Sequence, residues 1–178
     1  MTIIATDLDG TIYKGQTLID DVKNGVLEII NAGIEIYFTT NNSSQSPNEI
    51  KDKLDNLLQL NLDMTKIITP LVIFQSLYSG SNKDIYIYGS DNLINFIKKL
   101  NMNVTNLENA ELILIGRKEE NNNSEINQIL KNVSLGKEIL CLNKDLTFPT
   151  ELGERPGNGA VVKIIEDNLS IDIPTLGK

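Results

Sequence analysis

Two short β-branched and apolar runs, at 2–6 and 34–39, flank a segment in which Val22, Val26, Ile29 and Ile30 recur at helical spacing. Gly33 stands where a helix C-terminus takes a left-handed residue, so the opening reads as strand, helix, strand. A second helix start is written in Ser46-Pro47-Asn48-Glu49, with serine at the cap, proline at the first helical position and glutamate at capping-box spacing. Ile50, Leu54, Leu57 and Leu58 then fall on one face. The pattern repeats more loosely, predicting strands at 85–88, 112–115 and 139–142 and helices near 91–100, 124–133 and 159–167.

Strands alternating with helices predict an α/β protein with a largely parallel sheet and right-handed crossovers. Parallel neighbours put their carboxyl ends on one edge, where α/β proteins bind ligands, so Asp7 and Thr40, each closing a strand, should converge on one crevice. The polar run 78–83 reads as a linker between a first module and a second. The Asn- and Glu-rich stretch 119–124 reads as a solvated loop, and no internal repeat is visible.

Composition narrows the chemistry. A chain of 178 residues has room for one or two domains, and with 5% aromatics and no tryptophan its core should be Ile, Leu and Val. A net charge of −8 argues against nucleic acid or an anionic membrane as partner, although a bound cation can reverse the local field for an anionic substrate. The opening residues carry neither a basic region nor an apolar stretch long enough for a signal peptide or a span, so a cytoplasmic chain is expected. Cys141 is alone and set among Ile139, Leu140 and Leu142, as a buried structural thiol would be. With no histidine, Ser-His-Asp and Cys-His catalysis and His-ligated metals are excluded. The reaction must run on carboxylates, hydroxyls, amides, lysines or an oxygen-bound metal.

Asp7-Leu8-Asp9-Gly10-Thr11 supplies two carboxylates two residues apart, then a glycine that frees the turn and a hydroxyl. In extended chain both acids approach one small volume, which is costly unless a cation or proton lies between them. Magnesium, an oxygen-seeking ion, would relieve that repulsion and draw in phosphate oxygens; one acid could then attack while the other moves protons. An acidic turn of purely structural origin and a metal-binding Asp-x-Asp of a glycosyltransferase are alternatives. An EF-hand is excluded, because Ile12 and Leu18 stand where its glycine and acidic twelfth residue belong. The second element, Phe38-Thr39-Thr40-Asn41-Asn42-Ser43-Ser44, offers a hydroxyl, an amide and backbone N–H groups at a strand exit, a phosphate cradle or, on the plainer reading, a set of turn formers.

These segments closely resemble the haloacid dehalogenase superfamily, specifically its NagD-like and 4-nitrophenyl phosphatase-like subgroup. The match begins with Asp7-Leu8-Asp9-Gly10-Thr11-Ile12-Tyr13 and Gly15, and continues through Thr40-Asn41-Asn42-Ser43-Ser44 and Ile68-Thr69-Pro70. Tyr88-Gly89, Asn143-Lys144-Asp145, Pro156-Gly157-Asn158-Gly159-Ala160 and the terminal Gly177-Lys178 follow in the family's order. The resemblance implies a Rossmann-like core at 1–78, an inserted α/β cap at 79–165 and a return to the core at 166–178. It implies a magnesium-dependent phosphatase acting on a small phosphate monoester, such as a sugar phosphate, phosphoglycolate, a nucleotide or an aryl phosphate. Asp7 would be the nucleophile forming an aspartyl-phosphate and Asp9 the general acid and base, with Mg2+ held by the Asp7 carboxylate and the Asp9 carbonyl. Thr40, Asn41 and Lys178 would bind the phosphoryl group, Asn143 and Asp145 would face the substrate from the cap, and homodimers are common in the group. Family members continue past this lysine into core strands bearing another acidic motif, which implies that a chain ending at Lys178 is C-terminally truncated. The alternative is therefore a catalytically impaired fragment that only binds phosphate or a partner.

Overall fold

The structure, a computed structural model, describes residues 2–150 and 153–178. The chain divides into two compact units, 1–72 and 73–178.

The first unit is built on a three-stranded sheet. Its chain order is β1 (Ile3–Asp7), a short hairpin of β2 (Tyr13–Lys14) and β3 (Thr17–Leu18), α1 (Val22–Asn31), β4 (Glu35–Thr39), α2 (Pro47–Leu58), and β5 (Ile67–Ile68), which leads into α3 (Pro70–Tyr78). Strand order is β1-β4-β5, all parallel, with Ile3 opposite Glu35 and Asp7 opposite Thr39. Gly33 takes φ +70 just past α1, as a left-handed helix terminator should. At α2 the Ser46 hydroxyl accepts the Glu49 N–H and the Glu49 carboxylate accepts the Ser46 N–H, so the predicted capping box forms. Phe38 from β4 and Ile50, Leu54 and Leu58 from α2 are fully buried with Leu8, Tyr13 and Ile67. Burial of each large apolar side chain contributes about 1.5–3 kcal/mol. The edge strand β1 leaves Ile3 57% exposed.

In the second unit β6 (Asp84–Tyr88), α4 (Asp91–Lys99), β7 (Asn103–Val104), β8 (Leu112–Ile115), α5 (Asn123–Ser134) and β9 (Glu138–Cys141) form a parallel sheet of order β7-β6-β8-β9. An antiparallel hairpin, β10 (Thr147–Thr150) with β11 (Gly153–Pro156), and then α6 (Asn158–Leu169) complete it. Ile113 and Ile115 pack with Ile126 and Ile129 of α5 and Val161, Val162 and Ile165 of α6. Cys141 is buried there, and its N–H donates to the Pro174 carbonyl at 3.0 Å. Among the described residues, no helix is long and apolar enough to cross a membrane.

Candidate active site

The carboxyl edge of the first sheet is where its chemistry-bearing residues gather. Asp7 is the last residue of β1 and Thr40 follows β4, whose Thr39 pairs with Asp7 in register. Beyond Asp7 the chain folds back in a tight turn: the Leu8 carbonyl accepts the Ile12 N–H at 2.9 Å, and the Gly10 N–H donates to Tyr13 O at 2.8 Å. Gly10 carries that turn at φ +81, a conformation that any side chain would strain. Leu8 is driven into the core, which leaves Asp9 on the exposed side of the turn.

Thr40 is buried at the foot of this turn. Its hydroxyl donates to Asp9 Oδ2 over a long 3.4 Å, while the same oxygen accepts the Asn42 N–H at 3.0 Å. Asn42 then organises the loop: its Oδ1 accepts from Ser44 N–H and Ser44 Oγ, each at 2.9 Å, and from Gln45 N–H at 3.2 Å. Asn41 and Asp7 also engage neighbouring groups. Asp7, Asp9 and Thr40 are thus brought together by the strand register and one turn.

Two residues at this edge were not visible as a pair in the sequence. Tyr13 is fully buried, its hydroxyl has no hydrogen-bond partner among the described residues, and the Lys53 ammonium lies 3.5 Å from its ring centroid. Burial first, then the charges of Asp9 and Asp7, push the Tyr13 phenol far above its ordinary range. The Lys53 amine is pulled down by burial against the opposing pull of Asp9. The 39 intervening residues hide this pairing; the helical spacing of Lys53 after Ile50 shows only that Lys53 and Ile50 share a face of α2.

The other predicted site residues lie in the second unit. Asn143 is buried just after β9, and its Oδ1 accepts the N–H of the exposed Asp145 at 3.3 Å. The Asp145 carbonyl accepts the Gly159 N–H at 2.9 Å, which ties that loop to the start of α6. Lys178 is exposed.

The acidic edge offers carboxylate and carbonyl oxygens, the donor chemistry magnesium prefers. Among the described residues, no cluster of three or more acidic, histidine or cysteine side chains forms.

The profile of the haloacid dehalogenase-like hydrolase family matches residues 4–103. An acid sugar phosphatase of Staphylococcus saprophyticus is 25% identical over 174 residues, 97% of this chain and 67% of its own. A mutant of the thermostable p-nitrophenylphosphatase from Bacillus stearothermophilus superposes with a TM-score of 0.77 at 28% identity, over 98% of this chain and 68% of that one. The p-nitrophenyl phosphatase of Archaeoglobus fulgidus, at 22% identity, shares the fold with a TM-score of 0.86 over 98% of this chain and 67% of its own. The chain spans about two thirds of the length of these relatives.

Proposed function

We propose, since the chain belongs to the haloacid dehalogenase-like hydrolases, that it is a magnesium-dependent phosphatase that cleaves a small organic phosphate monoester through an aspartyl-phosphate. The observation that carries this reading is the convergence of Asp7, Asp9 and Thr40 on the carboxyl edge of one sheet. Relatives named for acid sugar phosphatase and p-nitrophenylphosphatase activity support a small ester as substrate.

Asp7 attacks phosphorus with one carboxylate oxygen; the bond to the ester oxygen breaks, and Asp9 in its acid form hands that oxygen a proton. In the second half Asp9, now a base, takes a proton from water as the water attacks phosphorus and the Asp7–phosphorus bond breaks, releasing phosphate and restoring both acids. Thr40 and Asn41 hold the transferring oxygens, and Lys178 is assigned to the same phosphoryl group. Asn143 and Asp145 are assigned to the leaving group, in the chain order of core 1–78, cap 79–165 and return to the core 166–178. Mg2+ bound by the Asp7 carboxylate and the Asp9 carbonyl would supply a positive field for the phosphate oxygens.

The test is phosphate release from p-nitrophenyl phosphate, with and without magnesium, by the parent and by Asp7→Asn. A metal-dependent parent rate that falls on the order of 10⁴-fold or more in the variant is expected, on the scale of nucleophile deletions. A variant that keeps the parent rate removes Asp7 from the reaction. A folded parent that binds phosphate and releases none is a binding module instead.

A further inference from the structure

Among the described residues, lysine ammonium groups stand over tyrosine rings at Lys53 and Tyr13, Lys66 and Tyr37, Lys83 and Tyr78, and Lys118 and Tyr88. Lys66, Lys83 and Lys118 also pair with Glu35, Glu138 and Glu125, so a salt bridge already accounts for where each of these cations is held. Lys53 makes no salt bridge or hydrogen bond among the described residues, yet it comes nearest its ring, 3.5 Å from the centroid. The ring is what decides its position.

Lys53 stands on α2 beside the fully buried Leu54, and is itself half-buried. Burial draws its amine down and Asp9 opposes that shift, so the charge is kept beside the acidic turn against a loss of hydration. An apolar side chain would fill the same flank without that cost. What the charge gains is the negative face of the Tyr13 ring. Tyr13 in turn closes the loop that carries Asp9. Its N–H donates to Leu8 O at 3.2 Å, its carbonyl accepts the Gly10 N–H at 2.8 Å, and its backbone forms an isolated bridge with Asp9. Core neighbours surround the ring, and the Tyr13 hydroxyl has no hydrogen-bond partner, so the ring and not the hydroxyl anchors this side chain.

We propose that Lys53 is a positioning residue for the phosphatase reaction: its ammonium clamps the Tyr13 ring and through it holds the turn that presents Asp9 to the leaving oxygen. The catalytic consequence rests on the phosphatase reading. The clamp itself lies wholly within the first unit and is measurable without any turnover.

Amide hydrogen exchange in the whole chain reads the clamp through Gly10, whose N–H is bonded to the Tyr13 carbonyl. Lys53→Met, similar in length and uncharged, is expected to speed Gly10 exchange about tenfold, the scale of one partly desolvated cation–π contact. Lys53→Arg keeps a cation for the ring, and Tyr13→Phe keeps the ring without its hydroxyl; both should hold Gly10 within about twofold of the parent. Unchanged exchange in Lys53→Met, or an equal loss in Lys53→Arg or Tyr13→Phe, overturns the clamp. Equal acceleration at Phe38, in the central strand β4, would mark a general loss of stability and overturns it too. A second arm measures p-nitrophenyl phosphate hydrolysis. Lys53→Met should lower kcat about tenfold with KM within about twofold, and Lys53→Arg should recover the rate. A raised KM at the parent's kcat would put the ammonium on the substrate and overturns the positioning role. A parent that releases no phosphate while Gly10 still answers to Lys53 upholds the clamp and removes the phosphatase reading instead.

Discussion

The two parallel sheets end in edges of different composition. The first sheet closes β1 with Asp7, turns through Asp9 and backs Asp9 with the Thr40 hydroxyl. In the second, β8 ends at Ile115, Gly116 and Arg117 follow it, and Arg155 lines the same cleft as Arg117. The backbone logic is shared, since parallel strands deliver whatever follows them to one rim. Residues directly after the strand decide what that rim recruits. An acidic rim needs a cation before it can receive a phosphoryl group.

Substitutions can break this contrast one edge at a time. After Asp7→Asn, the largest effect is expected from Thr40→Ala, which removes a hydroxyl at the acidic rim and should lower kcat/KM for p-nitrophenyl phosphate by about 10²-fold, the scale of one lost transition-state donor. Thr40→Ser should recover most of the rate. A rate within about threefold of the parent would take Thr40 out of the chemistry.

Next in size is Gly159→Ala in the second unit. A Cβ there would lie 2.2 Å from the Lys144 carbonyl oxygen, and backbone yields less readily than a side-chain tip. A loss of about 2 kcal/mol is expected in denaturant unfolding, as for other overpacked sites. In the first unit Gly25 shows the reverse case, in the body of α1 with nothing within 4 Å of an added Cβ. Gly25→Ala should therefore stabilise by about 0.5–1 kcal/mol, the helix preference for alanine over glycine.

The smallest effect concerns acid. Hydrogen bonds from Lys66 at 2.9 Å and from Tyr37 at 3.1 Å hold the Glu35 carboxyl below the usual carboxylate range. A carboxyl depressed in the folded state stabilises above its unfolded pKa of roughly 4.3, and that support disappears as pH falls through the folded value. The parent and Glu35→Gln should thus differ in unfolding midpoint at neutral pH and converge in acid. A gap that widens toward acid would show that the pair does not act in this way.

Much of the framework was legible because its signals are local. The capping box at Ser46 and the left-handed Gly33 each need only a few neighbouring residues, and both stand where the sequence puts them. The strands at 85–88 and 112–115 are short buried runs that nothing interrupts, and they form β6 and β8. The hairpin of Tyr13–Lys14 with Thr17–Leu18 went unread because strands of two residues have no alternation to display. Strand β10 contains Pro149 and β11 ends in Pro156, residues that argue against a strand interior and suit an isolated hairpin. At the site, the convergence of Asp7 with Thr40 followed from the parallel register. The approach of Lys53 to Tyr13 and of Arg155 to Arg117 depends on tertiary packing alone. The stretch 119–124, which reads as plain solvated loop, supplies Glu119 and Asn121 to the cleft of Arg117 and Arg155.

The Asn42 hub has a thermodynamic consequence. With one side-chain oxygen receiving three donors and its own N–H donating to the Thr40 hydroxyl oxygen, Asn42 ties the loop from Thr40 to Gln45 together by four hydrogen bonds. A phosphoryl group arriving at that rim has little chain freedom left to extinguish, so more of its gross attraction survives as affinity than it would on a slack loop.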